Sequence, residues 1–172
     1  KKDRLLLAVS GGADSVVLTD LIHQSGYLFE IAHCNFKLRD AESDRDEAFV
    51  KALALRYAVP FHIKTFDTRA IAVAEKKSIE TAARDLRYEW FKLLLEEKQL
   101  KYLLTAHHAD DNIETLLMNF FKGTGIAGLH GILPKQGKIT RPLLVARKED
   151  IIDFAEKNKL AFVEDSTNET DK

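Results

Sequence analysis

Short apolar runs at residues 5–9, 28–34, 61–66 and 102–106 alternate with longer amphipathic stretches, and this alternation restricts the fold more than any other feature. Each run is bounded by turn-forming or charged residues and reads as a buried strand. Residues 14–23, 41–58 and 78–97 read as helices between them. In the last of these, Ile79, Ala82, Ala83, Leu86, Trp90, Leu93 and Leu94 follow the 3.6-residue period and predict one apolar face, with Ser78 as N-cap. Strands alternating with helices predict the α/β class: a Rossmann-like, mostly parallel β-sheet with helices on both faces. Ligands bind such sheets beyond the carboxyl ends of the strands. The loops after residues 9, 34, 66 and 106 are therefore expected around one site.

The first of those loops reads Ser10-Gly11-Gly12-Ala13-Asp14-Ser15 and joins a predicted strand directly to a predicted helix. Two glycines allow a tight turn that brings backbone N–H groups close to an anion. The helix start adds unpaired N–H groups and a partial positive charge. Ser10 and Ser15 supply hydroxyls for phosphate oxygens, and Asp14 a carboxylate for a metal ion bridging them. No Gly-Lys-Ser/Thr follows, so the loop is not of the Walker type. A glycine turn with Asp14 or Ser15 capping the helix is the plainer account, but a capped turn does not require this whole run.

A second constellation follows the fourth apolar run: Thr105-Ala106-His107-His108-Ala109-Asp110-Asp111-Asn112-Ile113-Glu114-Thr115. Ile113, Leu116, Leu117, Phe120 and Phe121 recur at helical spacing and predict a helix with that set as its core face. At about 100° per residue, Asp111 and Glu114 lie about 60° apart on its flank, in the first turns. Acids there suit a divalent metal on a nucleotide or the ammonium of an amine substrate. They also complement the helix dipole, a common and purely structural role. Beyond the helix, Lys122-Gly123-Thr124-Gly125-Ile126-Ala127-Gly128-Leu129-His130-Gly131-Ile132 holds four glycines in nine residues, which marks flexible backbone or close approach to a ligand.

The loop at residues 10–15 resembles the SGGxDS loop of the PP-loop ATP pyrophosphatases, an adenine nucleotide alpha hydrolase-like fold, which grips the pyrophosphate leaving ATP. The succession HHADDNIET, KGTGIAGLHGI, Arg141-Pro142-Leu143-Leu144 and Glu164-Asp165-Ser166-Thr167-Asn168 is similar in order and spacing to tRNA(Ile)-lysidine synthetases, and the likeness runs from Leu5 to Asn168. The resemblance implies a ligase that adenylates the wobble cytidine of tRNA(Ile) with a CAU anticodon, using ATP and Mg2+, and then joins L-lysine to it. It implies ATP binding by Ser10, Gly11, Gly12, Ala13, Asp14, Ser15 and His33, metal binding by Asp14, and catalytic roles for Asp14, Arg84, Asp111 and Glu114. Arg87, Lys122, Gly123, Gly125 and Arg141 are implied for substrate or tRNA, with Lys122, Lys135, Lys138 and Arg141 as candidates for RNA phosphate contacts.

Which acid binds metal and which orients lysine stays open at this point. His33 also reads as a satisfied histidine at a strand end, and Arg84 as the partner of Glu80 in an i,i+4 pair. The spacing from His33 to Arg39 is longer than in the family, so Arg39 carries no assigned role. Sulfur-transferring PP-loop enzymes use a cysteine pair or cysteines on an iron–sulfur cluster. Cys34 stands alone in an apolar run and is expected to be structural.

A length of 172 residues suits a single PP-loop ATP-binding catalytic domain spanning 1–172, expected to be a fragment of a longer protein with C-terminal tRNA-binding domains elsewhere. The net charge of −1 does not announce a nucleic-acid binder, so this part is expected to hold RNA weakly or through a local patch. No apolar stretch approaches the roughly 20 residues that span a bilayer, and no membrane partner is expected. One cysteine excludes an internal disulfide framework and fits the cytoplasm. A homodimer is left open. The rival readings are another PP-loop tRNA-modifying enzyme, such as a tRNA thiolase, and a non-enzymatic ATP-binding module.

Overall fold

Strand β1 (Arg4–Ala8) buries Leu5, Leu6 and Leu7 although successive side chains point to opposite faces, so both faces of this strand are covered. The computed structural model describes residues 3–123 and 130–164. After β1 the chain forms α1 (Ala13–Gln24), β2 (Leu28–Asn35), α2 (Asp40–Arg56), β3 (Phe61–Thr65), α3 (Thr68–Glu75), α4 (Ile79–Glu97) and β4 (Tyr102–Leu104). Then come α5 (Ala109–Phe121), β5 (Lys135–Gln136), β6 (Ile139–Thr140), a 3-10 turn (Pro142–Val145) and α6 (Lys148–Lys157). The sheet order is β3-β2-β1-β4-β6-β5, parallel throughout except for β5 at the edge.

On one face Leu5, Leu7 and Val9 pack with Val16 and Val17 of α1, Val50 and Leu53 of α2, and Ile151 of α6. On the other, Leu6, Ala32 and Leu103 pack with Phe91, Leu94 and Leu95 of α4. Each fully buried leucine contributes about 2 kcal/mol relative to exposure. The chain runs outward from β1 through β2 to β3, then returns to lay β4 on the opposite side of β1. The loops after β1 and β4 therefore diverge, and a crevice opens at the carboxyl ends of these two strands.

Several boundaries and faces differ from expectation. Ser78 caps α4 as predicted, its Oγ accepting from the Thr81 N–H at 3.1 Å. The buried stripe, however, is Ala82, Ala83, Phe91, Leu94 and Leu95, whereas Ile79 and Leu93 are 44% and 60% exposed. Helix α2 ends at Arg56 because Ala58 turns left-handed (φ 53°). Helix α5 exists, but its predicted core face does not: Ile113, Leu117, Phe120 and Phe121 are more than half exposed. Periodicity marks an apolar face without specifying what covers it, and no described element packs over this one. Helix α3, capped by Asp67, the β5–β6 hairpin and α6 were not anticipated. No helix among the described residues is long and apolar enough to cross a membrane.

Candidate functional site

The first loop folds as its sequence requires. Gly11 sits at φ 105°, a conformation in which a side chain is strained, and its carbonyl accepts from the Val163 N–H at 2.9 Å. Ser15 Oγ accepts from the Gly11 N–H (3.1 Å) and donates to the Gly12 carbonyl (2.9 Å), while Ser10 Oγ lies 3.3 Å from it. The two hydroxyls thus brace the turn from within. Gly11→Ala is expected to lower stability by about 1–3 kcal/mol, because the backbone is strained and the new methyl meets Phe49 at 3.4 Å. A thermal melt checks this, and an unchanged midpoint refutes it.

Asp14 lies in the first turn of α1, where its Oδ1 accepts from Lys148 Nζ of α6 at 2.6 Å. Beside it, buried His108 is ringed by carboxylates. Its Nε2 is 4.0 Å from Asp14 and 3.7 Å from Asp111, and its Nδ1 is 3.6 Å from Asp110. Asp111 Oδ2 accepts from the His108 backbone N–H at 2.8 Å, the reach-back arm of a helix cap. The structural account of Asp111 is therefore true of one oxygen, and the other remains directed at the His108 ring.

His107 hydrogen-bonds Thr105 Oγ1 (2.9 Å) and is held below the ordinary imidazole range, first by burial and then by Arg141, Arg84 and Arg87, against the opposing pull of Asp111. Burial and the positive charges of three arginines thus act together against protonation of this ring. Two cavities meet there. The first, about 430 Å³, is lined by Ser10, Asp14, Ser15, His33 and Arg87; the second, about 680 Å³, by Arg84, Glu114 and Arg141. His107 and Asp111 line both. The sizes fall in the range of small-molecule sites.

Gly11 and Ala13 are buried behind the loop's exposed edge. His33 donates Nδ1–H to the Val9 carbonyl (2.8 Å), and burial keeps its ring neutral, so it is both a satisfied strand-end histidine and part of the first cavity wall. Arg87 lies over the Phe36 ring (5.1 Å) and Arg84 over Tyr88 (5.4 Å), and neither forms an ion pair with Glu80 among the described residues. Lys122 and Gly123 end α5, about 16 Å along its axis from Asp111, and line neither cavity. Lys135 and Lys138 are exposed on the hairpin, whereas Arg141 is only 6% exposed and lines the second cavity. Gly125 and residues 165–168 lie outside the described residues.

Sequence reasoning missed Lys148, which meets Asp14 across 134 positions with no local signal. It also gave no role to His107 and His108, although both stand in the motif it singled out. Asp14 already draws a cation to its carboxylate. Among the described residues no three His, Cys, Asp or Glu side chains form a metal cage. Mg2+ carried on a nucleotide needs only one or two carboxylates, with phosphate oxygens and water completing its shell, so this donor set fits that ion.

The sequence family described as the PP-loop domain matches residues 1–172. A tRNA(Ile)-lysidine synthase of Bacteroides thetaiotaomicron is 49% identical over 170 residues, covering 99% of this chain and 40% of that protein. One from Chlorobaculum tepidum is 43% identical over 171 residues, covering 97% of this chain and 52% of that protein. The chain thus spans about half or less of the relatives it matches. Among solved structures, the U34-tRNA thiolase of Methanococcus maripaludis shares the fold at a TM-score of 0.77 and 18% identity, over 95% of this chain and 60% of that one. An NH3-dependent NAD synthetase of Campylobacter jejuni matches at 0.61 and 14%, over 93% and 66%.

Proposed function

Since this chain belongs to the PP-loop domain family, we propose that it is the ATP-cleaving part of an enzyme that ligates L-lysine to the wobble cytidine of a CAU-anticodon tRNA(Ile). The observation that carries the reading is the pair of cavities meeting at His107 and Asp111, one walled by the phosphate loop and the other by acids and a buried arginine. A cytidine that must react first with ATP and then with lysine needs such a shared wall. Identities near half of the sequence with tRNA(Ile)-lysidine synthases support the choice of substrates.

In the first step ATP lies in the first cavity with its triphosphate on residues 10–15. O2 of the cytidine attacks the α-phosphate, pyrophosphate leaves, and an adenylated base remains. Loop N–H groups, the Ser10 and Ser15 hydroxyls and Arg87 offset the charge growing on phosphate oxygens. Mg2+, held by Asp14, supplies further charge neutralisation when bound. In the second step lysine lies in the second cavity, where Asp111 and Glu114 hold its ε-ammonium and take up its proton. The free amine attacks C2 of the base and displaces AMP, which Arg84 stabilises as it departs. Arg141, in the lining of the same cavity, pairs with the carboxylate of lysine.

The test uses the full-length protein with tRNA(Ile) transcript, ATP, Mg2+ and radiolabelled lysine. Label retained on the RNA only when ATP and the wobble cytidine are both present is the expected result. Cleavage of ATP to AMP without such label leaves a PP-loop enzyme with another acceptor. Cys34 separates this reading from sulfur transfer. Burial pushes its thiol up to about 12, so it carries almost no thiolate near neutral pH. Cys34→Ser is therefore expected to keep lysine transfer within about threefold of the parent protein, and a loss beyond a hundredfold refutes the structural role.

A further inference from the structure

Arg87 enters the first step as a cation for the phosphates, yet no carboxylate holds it in place. It stands exposed on α4, and no acid among the described residues pairs with it. An unrestrained guanidinium samples many rotamers, and ordering it at the moment of reaction costs entropy. What restrains Arg87 instead is an aromatic ring. Its Cζ lies over Phe36, 5.1 Å from the ring centroid, within the range of a cation–π contact.

Phe36 is itself built firmly into the fold. Its ring stacks on that of Phe66, with centroids 5.6 Å apart and planes 18° from parallel. Phe66 is buried in turn, with Trp90 packed edge-on against it at 6.5 Å. The Phe36 carbonyl accepts from Thr68 Oγ1 at 3.1 Å, and Thr68 is fully buried at the start of α3. The next N–H, of Lys37, donates to Asn35 Oδ1 at 3.0 Å, where the chain turns left-handed (φ 50°). Ring and backbone are thus fixed together at the wall of the first cavity, which Phe36 and Arg87 both line. The charge of Arg87 reaches across that cavity. Burial comes first in holding the His33 and His107 rings below the ordinary imidazole range, and Arg87 adds to it at both, one on β2 and the other beyond β4.

We propose that Phe36 is a positioning residue: braced on Phe66, its ring is the shelf that keeps the Arg87 guanidinium directed at the phosphates of ATP. The inference rests on the reading of the first cavity as the nucleotide site. The shelf orders Arg87 before ATP arrives, so charge growing on the α-phosphate meets a guanidinium already in place. A carboxylate beside Arg87 would restrain it too, but would neutralise the charge that the phosphates need. A ring face restrains the group and leaves its charge available.

The experiment measures adenylation by the full-length protein, as single-turnover transfer of label from ATP to tRNA(Ile) without lysine. It compares the parent with Phe36→Leu, Phe36→Tyr, Arg87→Met and the double variant Phe36→Leu/Arg87→Met, with thermal melts alongside. Phe36→Leu is expected to lower the maximal rate about tenfold, the scale of a desolvated cation–π contact, with half-saturating ATP within about threefold of the parent. Phe36→Tyr keeps the ring and should stay within about threefold in rate. In the Arg87→Met background the Phe36→Leu change should cost less than about twofold, because the group it positions is gone. A Phe36→Leu penalty as large in that background as in the parent overturns the inference and leaves Phe36 a plain cavity wall. So does a Phe36→Leu protein that adenylates like the parent, or a Phe36→Tyr protein as impaired as Phe36→Leu. Should leucine lower the melting midpoint, Phe36→Met takes its place in the same cycle with the same outcomes. A parent protein that adenylates no RNA overturns the proposed function itself, and this inference with it.

Discussion

Asp14→Asn is expected to reduce lysine-dependent labelling of tRNA by roughly 10²–10³-fold, the usual cost of removing one group that stabilises transition-state charge, while the protein stays folded. The amide is nearly isosteric, so the turn at residues 10–15 keeps its internal hydrogen bonds, none of which uses the Asp14 side chain. The ion pair with Lys148 is lost, but both partners are partly exposed, 28% and 43%, and solvent takes over much of the interaction. Stability should therefore fall by less than about 1 kcal/mol. The deficit should appear already in adenylation, measured without lysine as transfer of label from ATP to the RNA. It should ease as Mg2+ is raised, because a weaker ligand is partly offset by mass action. Normal adenylation with defective lysine transfer would move Asp14 out of the phosphate site and into the second step.

How much of this site was legible in the sequence depends on how far apart its parts lie along the chain. The loop at residues 10–15 could be read because its constraints are local: a strand, two glycines and a helix start in immediate succession. The acids of α5 could be placed for the same reason, since helical geometry alone puts Asp111 and Glu114 on one flank. Lys148 could not, because its meeting with Asp14 depends on α6 packing beside α1, a tertiary fact with no trace in either segment. The exposed apolar side of α5 shows the opposite failure. Its periodicity is real, yet Phe120 and Phe121 are 64% and 81% exposed, so pattern without a partner gave a false core. Arg141 could be read as a residue for substrate or tRNA from its charge and motif, but its burial beside the second cavity could not, because that depends on how the segment around Leu133 folds back.

That burial motivates the second large effect. Arg141 is held by its own N–H on the Pro134 carbonyl (2.8 Å) and by its guanidinium on the Leu133 carbonyl (2.6 Å). Its Nε has no partner, and no described acidic side chain pairs with it. A buried charge left this incomplete costs stability unless something compensates it, and the cavity it lines is where compensation can come from. A carboxylate suits a guanidinium by shape as well as by charge. On the proposed reading that carboxylate belongs to lysine, whose ε-ammonium at the far end of the side chain is then held by Asp111 and Glu114. Arg141→Met should accordingly raise the KM for lysine by about 10- to 150-fold, the equivalent of roughly 1.5–3 kcal/mol for a hydrogen bond to a charged group. Adenylation without lysine should stay within about threefold, because the phosphate loop lies in the other cavity. Arg141→Lys should recover only part of the loss, since an ammonium cannot reproduce the planar fork. Lysine amide, which lacks the carboxylate, should bind the parent and Arg141→Met proteins about equally. Discrimination between lysine and its amide that survives Arg141→Met would place the carboxylate on another residue and leave Arg141 as a tether for the segment around Leu133.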